Sequence, residues 1–332
     1  MRIVNRRNVF STLCGGAVAA GTALQAQKPK APPETQEDLP TIKVDVDLVN
    51  VMFTVRNKNG ALLPSLTKDD LTIFEDGKPQ TTKYFSRETN LPLTLGLLID
   101  VSGSQETLIP QEKNAAGQFF DQVLKAKDMA FVISFGADAE LLQDSTGSAK
   151  LLKRGLDGLR LSTSVGGLHP GPVPTSAKPK GTILYDAVYL AANEKLKNEV
   201  GRKAIVLITD GMDYGSSYKL KDAIEMAHKA DTMIYSIYYV DQRAYYGTSF
   251  GGASDGDLKK MSEETGGRLF HVGRKNSLEE IFQQIQEEMR SQYALAYSPT
   301  NDSRDGSFRK LEIRPTDKTL KVQARKGYYA TK

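Results

Sequence analysis

The sequence predicts an α/β fold: a doubly wound, mostly parallel sheet inserted into a β-sandwich that the N- and C-terminal flanks build together. Three observations carry this prediction. Near-continuous apolar runs recur through residues 91–290 with helical stretches between them, the pattern of a parallel sheet covered on both faces. Alternating, strand-like patterns occupy both flanks, 41–90 and 291–332. Neither flank is long enough for a comfortable β domain alone, so the two are expected to pair, with the α/β domain inserted between them and its ends close together. A length of 332 residues also fits two units better than one.

Residues 1–26 carry Arg2, Arg6 and Arg7, hold no acid, and continue as the small-residue apolar run VFSTLCGGAVAAGTALQA, ending at Ala26. A basic start, a short apolar stretch and a small residue at the cleavage point read as an export signal. The mature chain is therefore expected in the periplasm, the cell envelope or the medium, without a transmembrane domain. Gly15, Gly16 and Gly21 interrupt the run, which is short for a spanning helix; an uncleaved anchor is the competing reading. The Arg6-Arg7 pair resembles a twin-arginine signal, although Asn5 precedes it where Ser or Thr is usual, and a general secretory signal explains it nearly as well. Cleavage after Ala26 would remove the only cysteine, Cys14, and leave 41 basic against 40 acidic side chains. That balance makes no electrostatic case for nucleic acid, and three histidines without a cysteine make no zinc constellation.

QKPKAPPETQEDLP (27–40) is polar and proline-rich, which suits a linker. VDVDLVNVMFTVRN (44–57) alternates as a strand before an Asn59-Gly60 turn, and LTIFEDGKPQTTKYFSRE (71–88) adds two strands around Asp76-Gly77. The buried strands of the α/β domain are PLTLGLLID (92–100), MAFVISF (129–135), KAIVLIT (203–209), TMIYSIYYV (232–240) and the shorter GRLFHV (267–272). ELLQDST (140–146) fits a short antiparallel edge strand. TILYDAVYLAANEKLKNEV (182–200) puts Leu184, Ala187, Val188, Ala191 and Ala192 on one helical side. SLEEIFQQIQEEM (277–289) opens on a Ser277/Glu280 capping box and buries Leu278, Ile281, Phe282, Ile285 and Met289. YALAYSP (293–299), SFRKLEIRP (307–315) and LKVQARKGYY (320–329) return to strands, giving three candidates on each flank.

The chemistry gathers at strand ends. The first buried strand closes in Asp100-Val101-Ser102-Gly103-Ser104, the third long one in Ile208-Thr209-Asp210-Gly211, and Thr182 opens a helix through Thr182-x-x-x-x-Ala187. In open α/β sheets, ligands bind beyond the carboxyl ends of the strands. Two carboxylates and three hydroxyls make a hard, all-oxygen set that suits Mg²⁺, with Mn²⁺ chemically close, whereas Ca²⁺ usually takes more ligands. Each piece also has a plain structural reading: a strand-end turn with Ser104 capping a helix, Thr182 as an N-cap, Asp210-Gly211 as a turn. Their order and spacing together favour the ion.

DVSGS (100–104), GTILYDA (181–187) and ITDG (208–211) resemble the metal-ion-dependent adhesion site of von Willebrand factor type A (VWA) domains, over roughly residues 91–290. FEDGKPQ (74–80), YALAYSP (293–299) and VQARKGYY (322–329) resemble an exported VWFA-related family seen mainly in Acidobacteria. The resemblance implies that Asp100, Ser102, Ser104 and Thr182 hold the ion and that Asp210 ligates it directly or through water. It also implies that a partner protein supplies a carboxylate at an open position. The stretch LSTSVGGLHPGPVPTSAKPK (161–180) ahead of Thr182 is longer than usual there. In DQRAYYGTSFGGASDGD (241–257), Tyr245, Tyr246 and Phe250 are candidate partner-binding anchors, or equally tyrosines folded back on the domain. Asp255 and Asp257 read as a helix start.

The expected function is thus a non-catalytic, exported adhesion or scaffold module. His169, His228 and His271 read as loop surface, helix surface and strand packing, so none supplies a triad. One alternative is a metal-assisted hydrolase or phosphotransferase using Asp100, for which neither a GxxxxGK[ST] nor a GxGxxG cradle is present. The other is an envelope assembly factor in which the ion is structural.

Overall fold

The computed structural model describes residues 48–88, 91–162, 181–241 and 254–330. The expected export signal (1–26) and linker (27–40) lie outside the described residues, as does the start of the first strand pattern. Four strands precede the α/β segment: β1 (Val49–Arg56), β2 (Leu71–Glu75), β3 (Lys78–Gln80) and β4 (Thr82–Glu88). The central strands are β5 (Leu93–Asp100), β6 (Met129–Phe135), β7 (Ala139–Thr146), β8 (Arg202–Thr209), β9 (Thr232–Tyr238) and β10 (Leu269–His271). β11 (Gln292–Tyr297), β12 (Phe308–Pro315), β13 (Lys321–Ala324) and β14 (Gly327–Tyr329) follow.

The flanking strands form two antiparallel sheets, ordered β13-β1-β11-β4 and β14-β12-β2-β3. Each mixes strands from the two ends of the chain, with Val51 opposite Leu295 and Ile73 opposite Ile313. Val51, Phe53, Val55, Tyr293, Leu295 and Tyr297 from the first sheet share one core with Leu71, Ile73, Leu311 and Ile313 from the second, which is a sandwich. Phe53 stacks on Tyr293 at 5.5 Å between ring centres. Within this core the Glu75 Oε2 accepts from the Tyr297 hydroxyl at 2.5 Å and the Tyr328 hydroxyl at 2.9 Å, and Arg309 Nη1 lies 4.0 Å from Oε1.

The described flanks hold four strands each where three were expected. Asp76 and Gly77, both at positive φ, turn β2 back into the short β3, after which the chain crosses to the other sheet as β4. The run LKVQARKGYY breaks because Arg325 bridges to Thr265 and the Lys326 N–H donates to the Glu264 carbonyl at 2.8 Å. That detour separates β13 from β14 and delivers them to different sheets.

The central sheet runs β10-β9-β8-β5-β6-β7, parallel throughout except for β7, which pairs antiparallel with β6 as the edge-strand reading expected. All eight residues of β5 are buried. Its odd positions Leu93, Leu95, Leu97 and Ile99 pack under α1 (Ile109–Val123), α2 (Ala149–Leu156) and α6 (Leu278–Arg290). Leu98 faces the opposite layer, made by α3 (Leu184–Leu190), α4 (Leu220–Lys229) and α5 (Gly256–Thr265). Period-two alternation inside an unbroken apolar run thus serves two helix layers. Gly96 faces Phe131 across β5 and β6; a Cβ there would come within 2.4 Å of the ring, so glycine lets the phenyl lie across the strand. α3 continues as a π-helical turn over Ala191–Leu196.

The base of this sheet is tied to the sandwich by buried ionic contacts. Glu288 of α6, fully buried, pairs with Arg56 of β1 at 2.5 Å and Arg268 at 2.7 Å, and accepts from the Gln323 amide of β13 at 3.0 Å. Arg202 at the start of β8 donates to the carbonyls of Leu91 and Met289. Removing one partner of a buried ion group strands the others. Glu288→Gln, which keeps the shape but leaves two arginines without their counter-charge, is expected to lower unfolding free energy by about 3 kcal/mol, read as a fall in urea midpoint.

Candidate metal centre

Asp100 is the last residue of β5 and Asp210 the first after β8. Because these strands are parallel neighbours, with Leu98 opposite Leu207 and Ile99 opposite Ile208, both carboxylates arrive at the same carboxyl-end crest. Gly211 follows at φ 83°, and a Cβ there would strike the Ser254 carbonyl at 2.3 Å, so the loop after β8 lies tight against the start of α5. Beyond Asp100 the chain makes a 3₁₀ turn over Gly103–Gln105, closed by the Gln105 N–H donating to the Ser102 carbonyl at 2.9 Å.

Four of the five expected ligands form one hydrogen-bonded arc. Fully buried Asp100 accepts from the Ser102 N–H at 2.9 Å and the Thr209 hydroxyl at 2.6 Å. The Ser104 hydroxyl donates to Asp210 at 2.5 Å, and the Ser102 and Ser104 hydroxyls lie 3.1 Å apart. Thr182, also buried, is held at the same edge through its backbone. Its carbonyl accepts from the Tyr214 N–H at 2.9 Å, and the next N–H, of Ile183, donates to the Gly136 carbonyl just after β6 at 2.9 Å. Gly181 permits this approach, since a Cβ would sit 2.5 Å from that of Tyr214.

Buried carboxylates gather at the crest. Burial, reinforced by the neighbouring Asp210, pushes the Asp100 carboxyl up to about 7 against the opposing bonds from Thr209 and Ser102. Glu112 of α1 is fully buried with neither carboxyl oxygen hydrogen-bonded, and burial plus the Asp100 charge holds it well above the usual carboxylate range. The Gln105 side-chain oxygen is likewise without a partner. Among the described residues no basic side chain pairs with Asp100 or Glu112. All-oxygen donors around these carboxylates fit a hard divalent cation. Among the described residues no three His, Cys, Asp or Glu side chains converge, so any ion here depends on the hydroxyls.

Several sequence expectations need correcting. His228, expected on a helix surface, is buried against Phe308 and Tyr329, and burial with the Arg325 charge pulls its imidazole down to about 4. His271, expected to pack a strand, is exposed and its Nε2 lies 2.7 Å from Asp255, the residue just before α5. Asp257 accepts from the Tyr185 hydroxyl at 2.5 Å. His169, most of the 161–180 stretch and the aromatic anchors Tyr245, Tyr246 and Phe250 lie outside the described residues. Sequence reasoning missed Glu112, although it stands three residues from Ile109 and four from Ala116 on the buried stripe of α1.

No family model matches the chain, and no curated protein matches it. Among solved structures it is similar to the conserved hypothetical protein BatB from Bacteroides thetaiotaomicron, at 16% identity and TM-score 0.45, over 59% of this chain and 97% of that one. It is similar to the SpRpn10 VWA domain at 15% identity and TM-score 0.40, over 58% and 95%. It is also similar to proximal thread matrix protein 1 from the mussel byssus, whose structure has a zinc-occupied MIDAS motif, at 14% identity and TM-score 0.46, over 65% of this chain and 50% of that one. Likenesses of this size assign no function.

A carboxyl raised in the folded state opposes stability once it ionises: the penalty is absent below the unfolded value near 4 and complete above about 7. In chelator, the protein is therefore expected to lose stability from pH 5 to pH 8. Asp100→Asn, whose amide can donate to the Thr209 oxygen, should flatten that limb and stabilise the ion-free form by about 1–2 kcal/mol at pH 8, measured by thermal unfolding.

Proposed function

We propose that the crest is a metal-ion-dependent adhesion site for Mg²⁺ or Mn²⁺, and that the exported chain uses it to capture a protein ligand without catalysis. The observation that carries this reading is the arc of Ser102, Ser104 and Asp210 hydroxyl and carboxylate oxygens in front of buried Asp100. Ser102, Ser104 and Thr182 would bind through their hydroxyls, with Asp100 and Asp210 bound directly or through water. The bound ion would supply a positive position able to take a carboxylate from a partner. Asp100 suits a holding role better than a nucleophilic one, because both its oxygens already accept hydrogen bonds. Among the described residues no helix is long and apolar enough to cross a membrane.

The test is thermal unfolding of residues 27–332 after chelation, titrated with Mg²⁺, Mn²⁺ and Ca²⁺, followed by partner capture with and without chelator. A saturable rise of about 5 °C with Mg²⁺ or Mn²⁺ at a hundredfold excess over Kd, lost in Ser104→Ala, is expected. No ion-dependent shift at millimolar concentration would overturn the reading. A shift with undiminished capture in chelator would make the ion structural.

A further inference from the structure

The outermost strand of the sandwich sheet β13-β1-β11-β4 is β13, which pairs with β1 on one side only. In an antiparallel ladder alternate residues direct their N–H and C=O groups at the neighbour, and the rest face outward. Among the described residues Lys321, Val322 and Gln323 make no backbone hydrogen bond beyond the β1 ladder. The connection out of α5 meets this edge only farther on, where Arg325 bridges to Thr265 and the Lys326 N–H donates to the Glu264 carbonyl. An edge of this kind is a template for an extended segment of another chain.

The two faces of β13 differ in chemistry. Lys321 stands directly opposite Arg56 across the ladder, a like-charge pair that costs stability. Arg56 in turn shares the buried Glu288 carboxylate with Arg268. Lys58 and Lys326 join these three cations in an open groove beside β13. Glu263, already 4.0 Å from Lys259, is the one acid among the described residues that line it. On the inner face, Val322 and Ala324 line a second groove with Leu311 and Ile313 of β12, whose rim carries both signs of charge in Lys310 and Glu312. Folding gains nothing from setting Lys321 against Arg56, whereas an anionic guest would relieve the pair.

We propose that β13 is a docking edge for an extended segment of a partner protein in which acidic and apolar residues alternate. Laid along the edge, the segment adds a strand. Its backbone takes the outward N–H and C=O groups, its acids lie over Arg56, Lys321 and Arg268, and its apolar residues lie over Val322 and Ile313. The site needs no metal, and it stands whether or not the crest binds an ion.

The test is fluorescence anisotropy of a labelled eight-residue peptide alternating valine and glutamate, titrated with the protein in chelator and in Mg²⁺. Saturable binding, equal in both, is expected. Peptides alternating valine with lysine, or serine with glutamate, should each bind about tenfold more weakly or worse. Lys321→Glu should weaken binding of the acidic peptide by about as much without lowering Tm, since it removes a like-charge pair. N-methylation at the valines blanks one peptide edge and at the glutamates the other, so one of these should abolish binding and the other spare it. No saturable binding at millimolar protein, equal binding of the lysine or serine peptides, an unaltered affinity in Lys321→Glu, or equal effects of the two methylations would each overturn the proposal.

Discussion

The pairing of β4 with β11 is the constraint on which the remaining arrangement rests. Glu88 lies opposite Gln292 and Arg87 opposite Tyr293, so the α/β segment departs and returns on neighbouring strands. Two consequences follow from that short span. The parallel sheet is anchored by its strand beginnings, where Leu91, Arg202 and Met289 meet, and its carboxyl ends are left away from the anchor. The sandwich, in turn, is a composite: no sheet in it consists of strands from one flank alone.

Anchoring at one edge polarises the sheet chemically. Asp100, Asp210 and the orphaned Glu112 collect at the carboxyl end, whereas Arg202, Lys203 and Arg325 collect at the base. Burial disfavours the charged form at both ends: it pushes the Asp100 carboxyl up, with the Asp210 charge adding to it, and draws the Lys203 ammonium down against the opposing charges of Asp231 and Glu199. The sandwich core handles its own charge differently. Glu75 takes two tyrosine hydroxyls on one oxygen, and Glu288 pairs with two arginines and accepts from an amide, so these acids link elements.

Much of this architecture was legible in the residues. Unbroken apolar runs announced β5, β6, β8 and β9 because each must satisfy helix layers on both faces, and the Ser277/Glu280 box marked the start of α6. DVSGS and TDG identified residues that do meet at one crest. The short β10 was legible in GRLFHV, whereas β3 and β14 were not legible as separate strands: β3 contains Pro79, and β14 exists only because Arg325 and Lys326 first swing the chain onto α5. His228 sits between Ala227 and Lys229 in a pattern that reads as solvent-facing until Phe308 and Tyr329, far along the chain, cover it. Burial imposed by distant chain leaves no local trace.

The adjacency of β4 and β11 also has a mechanical meaning. A pull applied between residues 48 and 330 loads the ladders of the sandwich, because the α/β unit hangs from two hydrogen-bonded neighbours as a closed side loop. The covalent load path thus runs around the crest until β4 and β11 part, and the strand ends that carry Asp100 and Asp210 lie off it.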